Sequence, residues 1–463
     1  MIFKPMRDSA QSSPRVLLLA VLPALVVAVL QYAAWPGYLS FDSAYQFWQA
    51  RHLQFGDVAP PMMPALWALL LPWCRDTTGP MLLICLLYAA GFGYWAMLAR
   101  RDAQRLLASM IAILGPLCPF LMWMLPHVWT DVLLAAACLL LSALAMTVPR
   151  RPAAIVLFLV LLCLATALRH NAICATAPLA IAWASHGFPQ LSRLRRSAIA
   201  TLLVVGACAF KAIFGMTLVT QRLDTWAVTP LHDLQAVSVA TEVQRIPASL
   251  VGPGMDVAQL RAAFDPYSAT KLFSGTRSGI RNPTISPLEP ELRSALGQAW
   301  RGLWNEPAYW SHRGRLFRGL LGSHLEPGLI GLGDAPVLTS YQDNPGLVFA
   351  HPRAHGIYRD VIERLRSTGV FAAGAYLVIA LVLAALRWRG LARHWRIAVA
   401  GLMASAWSYL LPLFVLAPSA ESRYLLWPVL ASWLVILLAI FVNGRPAADR
   451  TEGGQGTATV LAD

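Results

Sequence analysis

Long apolar runs bounded by charge, Pro or Gly recur along most of this chain, and their length is the primary structural signal. The first runs from Val16 to Trp35 behind Lys4, Arg7 and Arg15. It resembles a signal sequence but exceeds a typical h-region, and it reads as an uncleaved first span. Further runs of about 15–22 residues occupy positions 80–99, 106–125, 131–148, 153–169, 172–186, 198–219, 368–386, 397–416 and 424–442, so about ten transmembrane helices are expected. The segment from Pro61 to Trp73 is too short to cross about 30 Å of hydrocarbon and holds Pro61, Pro64 and Pro72, which places it as a re-entrant or interfacial piece.

Alternate loops test this order of spans, because cytoplasmic loops concentrate Lys and Arg. One set holds Lys4/Arg7/Arg15, Arg100/Arg101/Arg105, Arg150/Arg151, Arg193/Arg195/Arg196, Arg387/Arg389/Arg393/Arg396 and Arg445/Arg450, whereas the other short loops hold little beyond Arg51, Arg75, Arg169 and Arg423. Both termini are then cytoplasmic and the stretch from Gln221 to Ser367 is extracytoplasmic. Four regions follow: residues 1–220, with about seven spans and an external loop at 36–79; an extracytoplasmic helical and loop domain at 221–367; about three spans at 368–442; and a disordered cytoplasmic tail at 443–463. Within the long external segment, His232–Gln244, Pro290–Leu303 and His355–Leu365 look helical, broken by Pro247, Pro253, Pro283, Pro307, Pro336 and Pro345.

Composition agrees with an all-α integral membrane fold. Of 463 residues 57% are hydrophobic and 13% charged, with a mean hydropathy of +0.56, which nearly excludes a water-soluble domain. The net charge of +14 sits in short clusters between apolar runs, where it sets topology and does not mark a nucleic-acid surface. Lysine occurs only at positions 4, 211 and 271, an arginine bias that fits a high-GC bacterial genome and hence the bacterial inner membrane. The 7 cysteines lie mostly within apolar runs and form neither a disulfide framework nor a CxxC metal site.

Ionisable groups at the edge of hydrocarbon are costly and mark a task or a partner. Asp42 follows span one, Asp131 opens span four, Arg169, His170 and Asn171 lie between spans five and six, and Glu421, Arg423 and Tyr424 lie before the last span, all on the non-cytoplasmic side. Lys211 lies about two turns from the outer end of span seven. Each residue also has a structural reading. Asp42 can cap the helix in which Phe41, Tyr45, Trp48, His52 and Phe55 recur at interfacial spacing; Asp131 suits a helix N-terminus; Lys211 can snorkel; His127 and His170 can be hydrogen-bonded packing residues; Arg423 can anchor lipid headgroups.

Taken together these residues resemble a known family. The run Asp42-x2-Tyr45-x4-Ala50-x5-Gly56 with Pro60-Pro61, after a first span and before a short Pro-containing helix, resembles the first external loop of GT-C-type membrane glycosyltransferases. An acid opening span four, Arg423-Tyr424-Leu425-x2-Pro428 opening the last span, His232-Asp233-Leu234, and Trp300-x6-Pro307-x-Tyr309-x3-Arg313 are similar to the same pattern. The layout is that of the bacterial protein-mannosyltransferase and aminoarabinose-transferase-like group. Two departures bear on donor and metal: Ala59 stands where many relatives have a basic residue, and the second acid is single.

The resemblance implies transfer of a sugar from a polyprenyl-phosphate donor to an extracytoplasmic acceptor, a cell-envelope glycan, lipid or protein, with inversion. It calls for no cofactor with certainty and admits a divalent cation. An attacking hydroxyl needs a carboxylate base, for which Asp42 and then Asp131 are the candidates. A departing lipid phosphate needs fixed cations: Arg423 first, then Arg169 and Lys211, with Tyr424 beside them. Tyr45, His127 and Glu421 complete the candidate set on the acceptor side. A flippase or transporter of lipid-linked glycans, or a non-enzymatic membrane protein, would share the spans. Transporters, however, favour repeated halves and midplane sites, and neither is visible here.

Overall fold

The computed structural model describes residues 14–149, 152–252, 255–273, 280, 282–322, 332–337 and 341–442. The basic residues Lys4, Arg7, Arg150, Arg151, Arg445 and Arg450, the side chain of Arg15, the break at Pro253 and the 443–463 tail lie outside the described residues.

Apolar sequence becomes helix wherever Pro and Gly allow it. The N-terminal elements are α1 (Pro14–Ala34), α2 (Phe41–His52), α3 (Met62–Leu70), α4 (Thr78–Arg101), α5 (Arg105–Leu114), α6 (Pro119–Met124), α7 (Thr130–Ala145), α8 (Pro152–Leu168), α9 (Ala172–Gly187) and α10 (Arg193–Leu218). After the external helices, numbered below, come α17 (Ala373–Arg387), α18 (Arg393–Leu410), α19 (Leu413–Leu416) and α20 (Leu426–Phe441). Among the described residues six segments are long and apolar enough to cross a membrane: Thr78–Arg101, Arg105–Met124, Arg193–Leu218, Ala373–Gly390, Arg393–Leu416 and Ser422–Phe441. Val21–Ala34, Thr130–Ala145 and Pro152–Leu168 are apolar but shorter. Two expected spans are interrupted by proline, which lacks the N–H a helix needs. Pro116 and Pro119 separate α5 from α6, and Pro412 separates α18 from α19.

The centre of the bundle is α7, every residue of which is buried, against α4 and α20. Where lipid replaces water outside, burial of apolar surface gives little drive between helices, and close packing with interhelical hydrogen bonds takes over. Gly91 of α4 permits one such approach: a Cβ there would lie 2.6 Å from Leu139 Cγ of α7. Trp95 Nε1 donates to Ser142 Oγ at 3.0 Å, Tyr88 Oη to the Val132 carbonyl at 3.0 Å, and Trp427 Nε1 to Ser405 Oγ at 2.9 Å. By contrast α10 packs one face on α8 and α9 and leaves Leu202 and Met216 72% and 64% exposed, the kind of apolar outer surface that lipid covers.

The two ends of the bundle differ in charge. Asp102, in the α4–α5 turn beside Arg100, Arg101 and Arg105, accepts from His394 and Trp395 at 3.0 and 2.6 Å, which brings the α18 start with Arg393 and Arg396 to the same end. Arg387 donates from Nε and Nη2 to the Ala439 and Val442 carbonyls, both at 3.0 Å, so α17 and α20 finish there too. The opposite end carries α2 and α3. The 9-residue α3 is too short to cross a bilayer and lies against α2, α4 and α8, with Trp67 stacked on Phe47 at 4.8 Å. A short parallel pair, β1 (Phe55–Gly56) with β2 (Val219–Gln221), ties this loop to the end of α10.

The segment between α10 and α17 has a second hydrophobic core. It is built by α11 (Val228–Thr241), α12 (Val257–Ala262), α13 (Thr270–Phe273), α14 (Pro290–Gly302) and α15 (Pro307–Leu320), around Leu231, Leu234, Leu260 and Leu296. Pro307, expected as a break between helical patches, also opens α15 from its first turn, where its missing N–H costs nothing. This core ends near Tyr309. Further along, α16 (Pro352–Arg366) packs on α1, with His351 stacked on Tyr32 at 3.7 Å and Tyr358 donating to the Met122 carbonyl, so this part of the external segment belongs to the bundle's own core.

Candidate functional site

At the end of the bundle away from the arginine-rich turns α7, α9 and α20 begin and α8 and α10 finish. The sequence places an ionisable group at or near four of these ends, and α2 crosses above them with a fifth.

Asp42 does not cap α2. Ser40 holds the N-cap position, its backbone N–H donating to Ser43 Oγ at 2.9 Å, and its hydroxyl accepts from Trp129 Nε1 at 2.8 Å. The Asp42 carboxylate is thereby left for an ion pair with Arg423, Oδ2 to Nη1 at 2.6 Å. The same guanidinium meets Glu421 Oε2 through Nε at 2.5 Å and lies over the rings of Trp129 and Tyr424, 5.4 Å from each centroid. Glu421 Oε1 in turn accepts from Ser419 Oγ at 2.9 Å. Behind this pair sits a second: Arg169 Nη1 binds Asp131 Oδ2, and its guanidinium lies 5.0 Å from the Tyr424 ring on the face of a shared aromatic wall. Asp131 is 5% exposed and its Oδ1 has no hydrogen-bond partner, whereas the Asp42 side chain is 47% exposed. The cluster therefore has a buried rear and an open front.

The positive charge of Arg423, working against burial, holds the Asp42 carboxyl below the usual carboxylate range, with Arg169 acting in the same sense. Asp42 is thus an anion under ordinary conditions. His127 is its opposite: burial pushes its pKa down to about 3, and the neutral ring lies between Trp129 at 3.9 Å and Tyr38 at 5.2 Å.

Of the remaining candidates, Lys211 donates from Nζ to the Arg169 and His170 carbonyls at 3.0 and 3.1 Å, closing the end of α8. Tyr45 lies one turn along α2 from Asp42, its ring 5.1 Å from that of Tyr341. Asp42, Asp131, Arg169, Glu421, Arg423 and Tyr424 are therefore brought into one contact network, Lys211 and His127 support its walls, and Tyr45 borders it.

The turn bearing Glu421 and Arg423 is fixed from outside the bundle. Thr229 donates to the Leu416 carbonyl at 3.0 Å, Arg313 Nη1 to Ala417 at 2.6 Å, the Ala269 N–H to Pro418 at 3.3 Å, and the Ala420 N–H to Tyr267 at 2.8 Å. Arg313 is itself held by Asp233, Nη2 to Oδ2 at 2.7 Å with both side chains fully buried, and Trp300 Nε1 donates to the same oxygen at 2.7 Å. His232-Asp233-Leu234 and the Trp300-to-Arg313 motif are thus two halves of one buried polar joint. Trp129, Ser419 and Tyr341 escaped the sequence reading. A Trp immediately before an acid at a span end was the available signal for the first.

Among the described residues no group of three or more His, Cys, Asp or Glu is arranged to hold a metal ion, and Asp42, Asp131 and Glu421 all face guanidinium groups, so this donor set does not fit a divalent cation. Two surface hollows, of about 370 Å3 beside Phe349 and His355 and about 270 Å3 beside Asp102 and His394, lie away from the cluster. Comparison with known proteins returned no matching family model, no matching curated protein and no matching solved structure.

Proposed function

We propose that this chain is a GT-C-type membrane glycosyltransferase, moving a sugar from a polyprenyl-phosphate donor to an acceptor on the outer face of the bacterial inner membrane. In this reading it crosses the membrane about ten times, with both termini and the arginine-rich end in the cytoplasm. The reading rests above all on the contact between Asp42 and Arg423, a carboxylate and a guanidinium from opposite ends of the chain meeting at the end poorer in basic turns.

The chemistry asks for what this pair offers. The acceptor oxygen attacks the anomeric carbon, its proton passes to the Asp42 carboxylate, and the bond from carbon to phosphate oxygen breaks with both electrons on the leaving lipid phosphate. Arg423 receives that charge with two N–H groups in one plane, and Arg169 adds a second cation. Asp131 orients Arg169 from behind, and Glu421 does the same for Arg423. Lys211 shapes the α8–α9 turn that carries Arg169 and is assigned a supporting role.

Purified protein in vesicles, supplied with polyprenyl-phosphate sugars and envelope extract, is expected to yield a sugar-extended product by mass spectrometry. Asp42→Asn and Arg423→Ala are each expected to cut transfer by about 100-fold or more while the thermal transition of the protein persists. Full transfer by Asp42→Asn would remove its role as base. Movement of a fluorescent lipid-linked glycan across the vesicle, with no transfer, would make the chain a flippase.

A further inference from the structure

Beside Asp42 the structure gathers four aromatic rings at the edge of the bundle core, outside the charged network; Tyr341 packs on that core, and Phe41, Tyr45 and Trp48 stand beyond it. Phe41, Tyr45 and Trp48 follow at four- and three-residue spacing along one face of α2. Tyr341 arrives from the external segment and meets all three, with ring centroids 5.7, 5.1 and 5.8 Å away. These rings are not a sealed core: Phe41 is 55% exposed and the other three are half-buried.

Nor is their setting that of a ring belt resting in lipid. Asp343, two residues beyond Tyr341, accepts from Arg51 at 3.4 Å and from His52 at 3.1 Å, and Asn344 Nδ2 donates to the Ala44 carbonyl at 2.7 Å. A polar, charged strip therefore crosses α2 next to the rings, and its desolvation in hydrocarbon would be costly. A Cβ at Gly56 would lie 2.6 Å from the Tyr45 hydroxyl, so a larger residue there would push that end of the ring aside.

We infer that this patch is the acceptor subsite and that the acceptor is a saccharide, an inference that rests on the transferase reading above and narrows it. Sugar rings carry apolar C–H faces and polar edges. Open aromatic faces match the former, and the Asp343, Arg51, Asn344 rim matches the hydroxyls with both donors and acceptors. An acyl chain would desolvate that charged rim and offer it no hydrogen bond. The position of Asp42, three residues before Tyr45 on the helix, puts a carboxylate at the end of the patch, where a saccharide hydroxyl would be deprotonated.

The test is direct binding. The full-length protein in detergent is applied to an array of neutral di- to hexasaccharides of glucose, mannose, galactose and rhamnose, with peptides and acyl-chain surfaces as parallel arms. Retention on saccharides alone is expected. Phe41→Ala, whose ring is exposed and whose loss leaves the core intact, and Tyr341→Ala are each expected to weaken it by about tenfold. No saccharide retention, retention only on peptides or acyl chains, or undiminished binding by both variants would overturn the inference. Saccharide binding in a protein that transfers no sugar would leave the subsite standing and remove the transferase reading. Transfer that Phe41→Ala and Tyr341→Ala leave at wild-type rates would do the reverse.

Discussion

Arg423 is shared between two acids, and that sharing governs how Asp42 behaves. With its folded-state pKa held down, the ionised carboxylate stabilises the fold at every pH above its unfolded value, and that contribution fades only as the pH falls through the lower folded value. The melting-temperature gap between wild type and Asp42→Asn is therefore expected to stay level from about pH 8 to about pH 5 and to close below about pH 4, as thermal scans at stepped pH would read. A gap that closes above about pH 5 would show that the pair is not formed in solution. The sequence exposed the charged members of this network, because an acid or an arginine at the edge of an apolar run is conspicuous. It did not expose their pairing. Nothing in Ser40-Phe41-Asp42 says that Ser40 takes the cap and frees Asp42, since that choice depends on Trp129 reaching across to the serine hydroxyl.

At the scale of elements, the helices between α10 and α17 act as a brace for the turn that carries Arg423. The buried Asp233–Arg313 pair is its anchor, and removing one partner leaves an uncompensated charge away from water. Arg313→Ala is expected to cost about 3–5 kcal/mol, whereas replacing both residues by apolar ones of similar volume, Asp233→Leu with Arg313→Met, recovers part of that loss, the rest staying with the Trp300 N–H and Ala417 carbonyl that lose their partners. Denaturant melts of the two variants check this, and equal losses would contradict it. Because Arg313 also holds the Ala417 carbonyl, proteolysis within 416–421 is expected to rise with Arg313→Ala. Helices here were legible where a run was long, as in α4 and α10. They were less so where Pro decides: Pro116 and Pro412 each split a run into two pieces, and Pro307, read as a break between helical patches, also starts a helix of its own. The composition of a proline-containing stretch does not say which side of the residue is helical, because the same missing N–H is harmless in a first turn and disruptive in an interior.

For the whole molecule, the separation of arginine-rich turns from the Asp42 cluster predicts an orientation. In a cysteine-free background, Asp343→Cys is expected to react with an impermeant maleimide on intact spheroplasts, and Arg389→Cys only after the membrane is opened. The reverse pattern would invert the topology. Charge asymmetry could be read from the chain because loop arginines are counted, not folded. The clustering of α2, α7, α8 and α20 around one point is tertiary and had no local signature. One dimension of the bundle has a further consequence. The central helix α7 has 16 residues, about 24 Å at about 1.5 Å each, several ångströms less than the roughly 30 Å of a typical hydrocarbon slab. Because every residue of α7 is buried, neighbouring helices and not lipid line it, and in the membrane reading the longer α4 beside it spans the remaining thickness. A ligand would then come to the recessed Asp131 end through the open Asp42 side of the cluster, and the helices framing that opening, more than the thickness of the lipid, would decide what enters.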